Sequence, residues 1–81
     1  MEIKVLGPGC RNCEKLEADA KQAVKEAGAD CAVTKVTDMA EIMQYGVLST
    51  PGLVINGKVK SYGRLPSVKE IRMWIEEENK K

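Results

Sequence analysis

The chain has 81 residues, with 13 basic and 12 acidic side chains and a formal net charge of +1. At this length a single domain spanning residues 1–81 with a modest core is expected, and so balanced a charge leaves no electrostatic footprint for nucleic acid or an anionic membrane. Histidine is absent, which removes mixed Cys/His metal sites and Cys–His nucleophilic pairs.

At the start of the chain, Met1-Glu2-Ile3-Lys4 lacks the basic segment and apolar stretch of a signal peptide. No apolar run approaches the roughly 20 residues that span a bilayer. A cytoplasmic location is therefore expected. There, structural disulfides are rare, and a close cysteine pair points to redox or metal chemistry.

Ile3, Val5 and Leu6 form a predicted first strand, buried on both faces or nearly so. Lys4 interrupts it and reads as a side chain snorkelling at a strand edge. Gly7-Pro8-Gly9 is a turn that brings backbone close to the first of two cysteines, Cys10 and Cys13. A helix is predicted from Asn12 to Ala27, with Leu16, Ala20, Ala23, Val24 and Ala27 as its core-facing stripe. Gly28 suits the C′ position. Ala32–Val36 is the second strand. A strand, a helix and a strand within about 35 residues make a right-handed βαβ unit with parallel strands. Cys31, at the head of that strand, reads as a small buried hydrophobe.

Asp38, with Glu41 three residues on, marks the N-terminus of a short helix carrying Ile42 and Met43 and stopping at Gly46. Val47–Pro51 connects to a third strand, Leu53–Ile55. Asn56-Gly57 is the strongest hairpin signal in the chain and specifies a type I′ turn. Lys58–Tyr62 returns antiparallel, and Lys58 and Lys60 read as a solvated face that protects a sheet edge. After the turn Gly63–Pro66, Ser67 and Glu70 form a capping box. Val68, Ile71, Trp74 and Ile75 are the inner face of a last helix. Glu76-Glu77-Glu78 lies near its C-terminus, where the dipole disfavours acids, so fraying is expected there, and Lys80-Lys81 is a tail.

The two cysteines thus sit where a strand turns into a helix. Helix N-terminal amides and the positive dipole end favour a thiolate. Cys13, one turn into the helix, would lie on the same side as Cys10 and partly covered. That placement serves a dithiol that cycles to a disulfide, and equally a two-thiolate grip on a soft metal such as Cu(I). Pro51 fits either a trans proline opening a strand or a rarer cis one.

The order β-α-β-α-β-β-α, with Gly7-Pro8-Gly9-Cys10-x-x-Cys13 at the head of the first helix, Ser49-Thr50-Pro51 before a hairpin, and Gly63-Arg64-x-Pro66-Ser67 after it, resembles the thioredoxin fold in a minimal form. It is similar above all to the small redox-active disulfide proteins of archaea and anaerobic bacteria. The resemblance covers essentially the whole chain. It implies an α/β fold with a four-stranded mixed sheet flanked by three helices. Copper chaperones of similar size place their cysteines alike but follow the order β-α-β-β-α-β and end on a strand.

The resemblance also implies roles. Cys10 corresponds to the attacking thiol, Cys13 to the resolving thiol, and Pro51 to a cis-proline facing them. Gly9, Arg11, Thr50 and Gly63 border the target, with the Thr50 backbone pairing to an extended segment of it. Protein disulfides are the implied substrates, reduced by thiol–disulfide exchange with no cofactor beyond the Cys10–Cys13 disulfide itself. A flavin- or ferredoxin-linked thioredoxin reductase is the implied electron donor, and a monomer the implied state. Three positions depart from the pattern. Lys4 stands where thioredoxins carry a buried acid, and Arg11-Asn12 separates the sulfurs.

Overall fold

The computed structural model describes residues 2–9 and 11–79. The expectations for Cys10 and for the Lys80-Lys81 tail lie outside the described residues. β1 (Glu2–Leu6), α1 (Arg11–Ala27), β2 (Ala32–Val36), α2 (Met39–Gln44), β3 (Gly52–Ile55), β4 (Lys58–Tyr62) and α3 (Val68–Asn79) follow one another. They build one mixed sheet in the order β2-β1-β3-β4. β1 runs parallel to β2 and antiparallel to β3, and β3 is antiparallel to β4. This is the α/β arrangement expected from the sequence.

Local chemistry sets the boundaries. Asn56 and Gly57 both take positive φ, 53° and 78°, as a type I′ hairpin turn requires. Asp38 Oδ1 accepts the Ala40 amide at 2.9 Å and caps α2. Ser67 Oγ accepts the Glu70 amide at 3.1 Å while Glu70 Oε1 accepts the Ser67 amide at 3.2 Å, a reciprocal cap on α3.

The alternation of strand side chains divides the core in two. Ile3 and Val5 from β1 and Leu53 and Ile55 from β3 pack with Leu16, Ala20 and Ala23 of α1 and Ile71 and Ile75 of α3. Val24, Ala27, Val68 and Trp74 are only partly buried against this cluster. Leu6, Val36, Val47 and Val54 pack on the opposite face with Ile42 of α2. Leu16, Ile71 and Ile75 are fully buried, and burying such a side chain contributes about 1.5–3 kcal/mol. The alanines at 20 and 23 keep α1 close to the sheet and to α3.

Four expectations are corrected. Lys4 is not at a sheet edge, because β1 lies between β2 and β3; its side chain reaches Tyr45 at the end of α2 instead. Lys58 and Lys60 do not merely face solvent. Lys60 Nζ lies 3.1 Å from Glu78 Oε2, and Lys58 Nζ lies 3.5 Å from Glu78 Oε1. For the same reason the end of α3 does not fray at Glu78, which is 5% exposed in a helix that continues through Asn79. Two cations on β4 outweigh the unfavourable dipole. Cys31 is half-buried rather than buried, packed at the margin of the α1/α3 cluster.

Candidate active site

Two backbone segments meet at one end of the sheet. β1 runs out of the sheet at Leu6, which is paired with Gly52, the first residue of β3. Because these strands are antiparallel, the segment that follows β1 lies beside the segment that precedes β3. The first carries Gly7, Gly9, Arg11 and Cys13; the second carries Ser49, Thr50 and Pro51. Gly52 is in turn paired with Tyr62, the last residue of β4, so Gly63 comes to the same end. β2 closes the other flank, where the Gly7 amide donates to the Val36 carbonyl at 2.9 Å.

Cys13 sits in the first turn of α1, is 1% exposed and is disulfide-bonded. Gly7 packs directly on it. A Cβ at position 7 would overlap the Cys13 sulfur and come within 2.9 Å of its Cβ. The turn thus brings backbone close to the second cysteine at Gly7; the approach expected to Cys10 lies outside the described residues. Gly9, at φ 99°, is exposed and has open space around it. Arg11 is exposed and opens α1.

In the second segment the Thr50–Pro51 peptide bond is cis. Pro51 is buried, Thr50 half-buried and Ser49 exposed. Gly63 ties this segment to the end of β4: its amide donates to the Pro51 carbonyl at 2.9 Å. A Cβ on Gly63 would lie 3.1 Å from that of Ser49, and its φ of 74° favours glycine independently. Thr50, Pro51 and Gly63 are thus one cluster, and Gly9, Arg11 and Cys13 line the neighbouring one. Gly7 and Ser49 belong to the site as well: both stand in the motifs Gly7-Pro8-Gly9-Cys10 and Ser49-Thr50-Pro51, but only the tertiary structure shows the contact of Ser49 with Gly63.

Lys4 faces away from this chemistry. Its ammonium donates to Tyr45 Oη at 3.1 Å and lies 3.4 Å from Glu2. At 5.8 Å from the ring centroid the cation–π component is weak beside the hydrogen bond. The Tyr45 hydroxyl first, and the Glu2 charge second, raise the Lys4 pKa above its ordinary value. Lys4 therefore stays protonated at neutral pH and is no proton acceptor for a cysteine. Burial pushes the Cys31 thiol up as well, which disfavours its thiolate. Among the described residues no group of three or more His, Cys, Asp or Glu side chains could hold a metal ion. Among them, too, no helix is long and apolar enough to cross a membrane.

Comparison with known proteins agrees with this geometry. The family model described as thioredoxin domain matches residues 1–76. A thioredoxin of Methanothermobacter thermautotrophicus is 42% identical over 89% of this chain and 94% of its own length. One of Methanocaldococcus jannaschii is 39% identical over 86% of this chain and 80% of its own. The solved structure of thioredoxin 1 from Thermosipho africanus superposes with a TM-score of 0.67 over 99% of this chain and 96% of that one, at 20% identity, a likeness of fold. With the cysteine-bearing turn, the cis-proline segment and the matching sheet now in place, the chain belongs to the thioredoxin-domain family.

Proposed function

We infer that the chain is a thiol–disulfide oxidoreductase of the thioredoxin type, with Cys10 as the attacking thiol and Cys13 as the resolving one. The observation that carries this reading is the Leu6–Gly52 register, which sets the segment bearing the cysteine pair beside Thr50–Pro51. Cys10 immediately precedes Arg11, the first residue of α1, a position in the sequence where helix N-terminal amides and the dipole generally favour a thiolate.

The Cys10 thiolate attacks one sulfur of a target disulfide. The target S–S bond breaks, its other sulfur leaves as a thiolate, and a mixed disulfide remains. The Cys13 thiol gives its proton to water and attacks the Cys10 sulfur. The mixed bond breaks, the second target sulfur leaves, and the Cys10–Cys13 disulfide closes. Two electrons pass to the target, whose thiolates take protons from water. Thr50, half-buried at the edge of the site, offers its backbone to an extended target segment, and Gly9, Arg11, Pro51 and Gly63 border it.

Protein disulfides are the substrates, and a reductase restores the dithiol, flavin- or ferredoxin-linked. No cofactor is required, since the electron pair resides in the two sulfurs. The chain acts as a cytoplasmic monomer in this reading. The test is a Cys13→Ser variant incubated with a cell lysate or with oxidised insulin. Covalent adducts through Cys10 that dithiothreitol releases are expected, and adducts through Cys31 instead would overturn the assignment. Tight one-to-one Cu(I) binding by the reduced wild type, with no insulin reduction, would replace it by metal carriage.

A further inference from the structure

The loop Gly63–Pro66 between β4 and α3 touches the site through Gly63 and is held from behind by one carboxylate. Glu70, in the first turn of α3, receives three donors. Arg64 Nη2 donates to its Oε2 at 3.0 Å and Arg64 Nη1 to its Oε1 at 3.4 Å. The Ser67 amide donates to the same Oε1 at 3.2 Å. Those three bonds hold the carboxylate, and the Glu70 amide is bound in turn to Ser67 Oγ. The Arg64 guanidinium also stands 6.0 Å from the Trp74 ring centroid on the same helix. Leu65 and Pro66, half-buried and buried, hold the loop on its inner side.

Arg64 is the next residue after Gly63. Gly63 meets the preceding segment at two points, the hydrogen bond to the Pro51 carbonyl and the contact with Ser49. A planar fork on a carboxylate fixes direction as well as distance. We propose that Glu70 is a positioning residue for target binding: through its fork on Arg64 and its bond to Ser67 it holds the 63–67 loop so that Gly63 fixes the Thr50–Pro51 segment for an incoming protein disulfide. This rests on the oxidoreductase reading of the site. Glu70 touches neither sulfur nor target, so its loss weakens the binding of an extended protein partner and leaves the sulfur chemistry alone. A small disulfide, which does not lie along Thr50, is indifferent to it.

The experiment compares wild type with Glu70→Gln, which keeps an acceptor for the Ser67 cap, and with Arg64→Ala, which leaves the cap untouched. Each is assayed with insulin and with 5,5′-dithiobis(2-nitrobenzoic acid). The expected result is a KM for insulin raised about threefold, the scale of an ion pair of this exposure, with kcat and the rate with the small disulfide unchanged. The double variant should be no worse than either single one, because both remove one interaction. Exchange of the Gly63 amide proton should quicken in both variants. An unchanged KM, a parallel fall with the small disulfide, or full additivity would overturn the proposal. Were the wild type itself inert toward insulin, the oxidoreductase reading would fail, and the Gly63 amide would still decide whether the clamp holds the loop.

Discussion

The tightest contact at the site is between Gly7 and Cys13, and Gly7→Ala probes it directly. A Cβ there would stand 2.9 Å from the Cys13 Cβ and overlap its sulfur, whereas carbon atoms prefer about 3.5 Å or more. A shift of roughly 0.6 Å is thus required of the β-carbons alone. Cys13 is 1% exposed and has no open side to move toward. Overpacking of this kind costs about 1–3 kcal/mol. The cost should fall unequally on the two redox forms. A disulfide-bonded Cys13 cannot turn its sulfur away, whereas a thiol can adopt another rotamer. If the oxidised form bears about 1.4 kcal/mol more of the strain, the potential of the pair rises by about 30 mV, making the protein a stronger oxidant. Urea unfolding of the oxidised and reduced variant measures each cost, and equilibration against dithiothreitol measures the potential independently. Both forms unfolding at wild-type urea concentrations, with an unchanged potential, would refute the claim that residue 7 must lack a side chain.

Three further predictions concern polar side chains of β4 and α3. Glu78→Ala leaves Lys60, whose side chain is 16% exposed, without this carboxylate; we expect a loss of about 1–3 kcal/mol in urea unfolding, below that of a fully buried pair because both lysines reach water, and an unchanged midpoint would show that the contact contributes nothing net. Ser61 is 7% exposed, and its hydroxyl is buried without a partner among the described residues; Ser61→Ala should therefore raise stability by up to about 1 kcal/mol, and a loss would reveal a partner for that oxygen. The Glu70 carboxyl is held below the usual carboxylate range, first by the Arg64 hydrogen bonds and then by the Ser67 amide. A depressed folded-state pKa contributes stability above the unfolded value of about 4.3, and that contribution is lost as pH falls through the folded value. The melting temperature of wild type should exceed that of Glu70→Gln at pH 7, and the gap should close in acid; a gap constant with pH would exclude the ionised fork as its source.

Much of the fold was legible because the local signals agreed with one another. The Asn56-Gly57 turn, the Ser67/Glu70 cap and the Leu16–Ala20–Ala23 stripe each depend on residues a few positions apart, and each formed where the spacing placed it. The bounds of β2 and β4 follow from the same short-range chemistry. Long-range partners were not legible. Nothing in the spacing of Glu78 connects it with Lys58 and Lys60, 20 and 18 positions away, so the sequence read an acid at a helix C-terminus as frayed. Lys4 was misplaced for a related reason: a lone lysine in an apolar strand fits an edge until the strand order is known.

For the site, the sequence determined the chemistry. Two thiols three apart at a strand-to-helix junction, no histidine and a Thr-Pro before a hairpin restrict what the chain can do whatever its packing. Only the tertiary structure decided the neighbours. The antiparallel pairing of β1 with β3 sets Gly7 beside Pro51, and the hairpin return of β4 brings Gly63 to the same end, because register fixes side-by-side distances that periodicity cannot express. The packing of α1 and α2 against β1 buries Cys13 against Gly7 and brings Lys4 to Tyr45, separating the residue that must give way to sulfur from the one that keeps its proton.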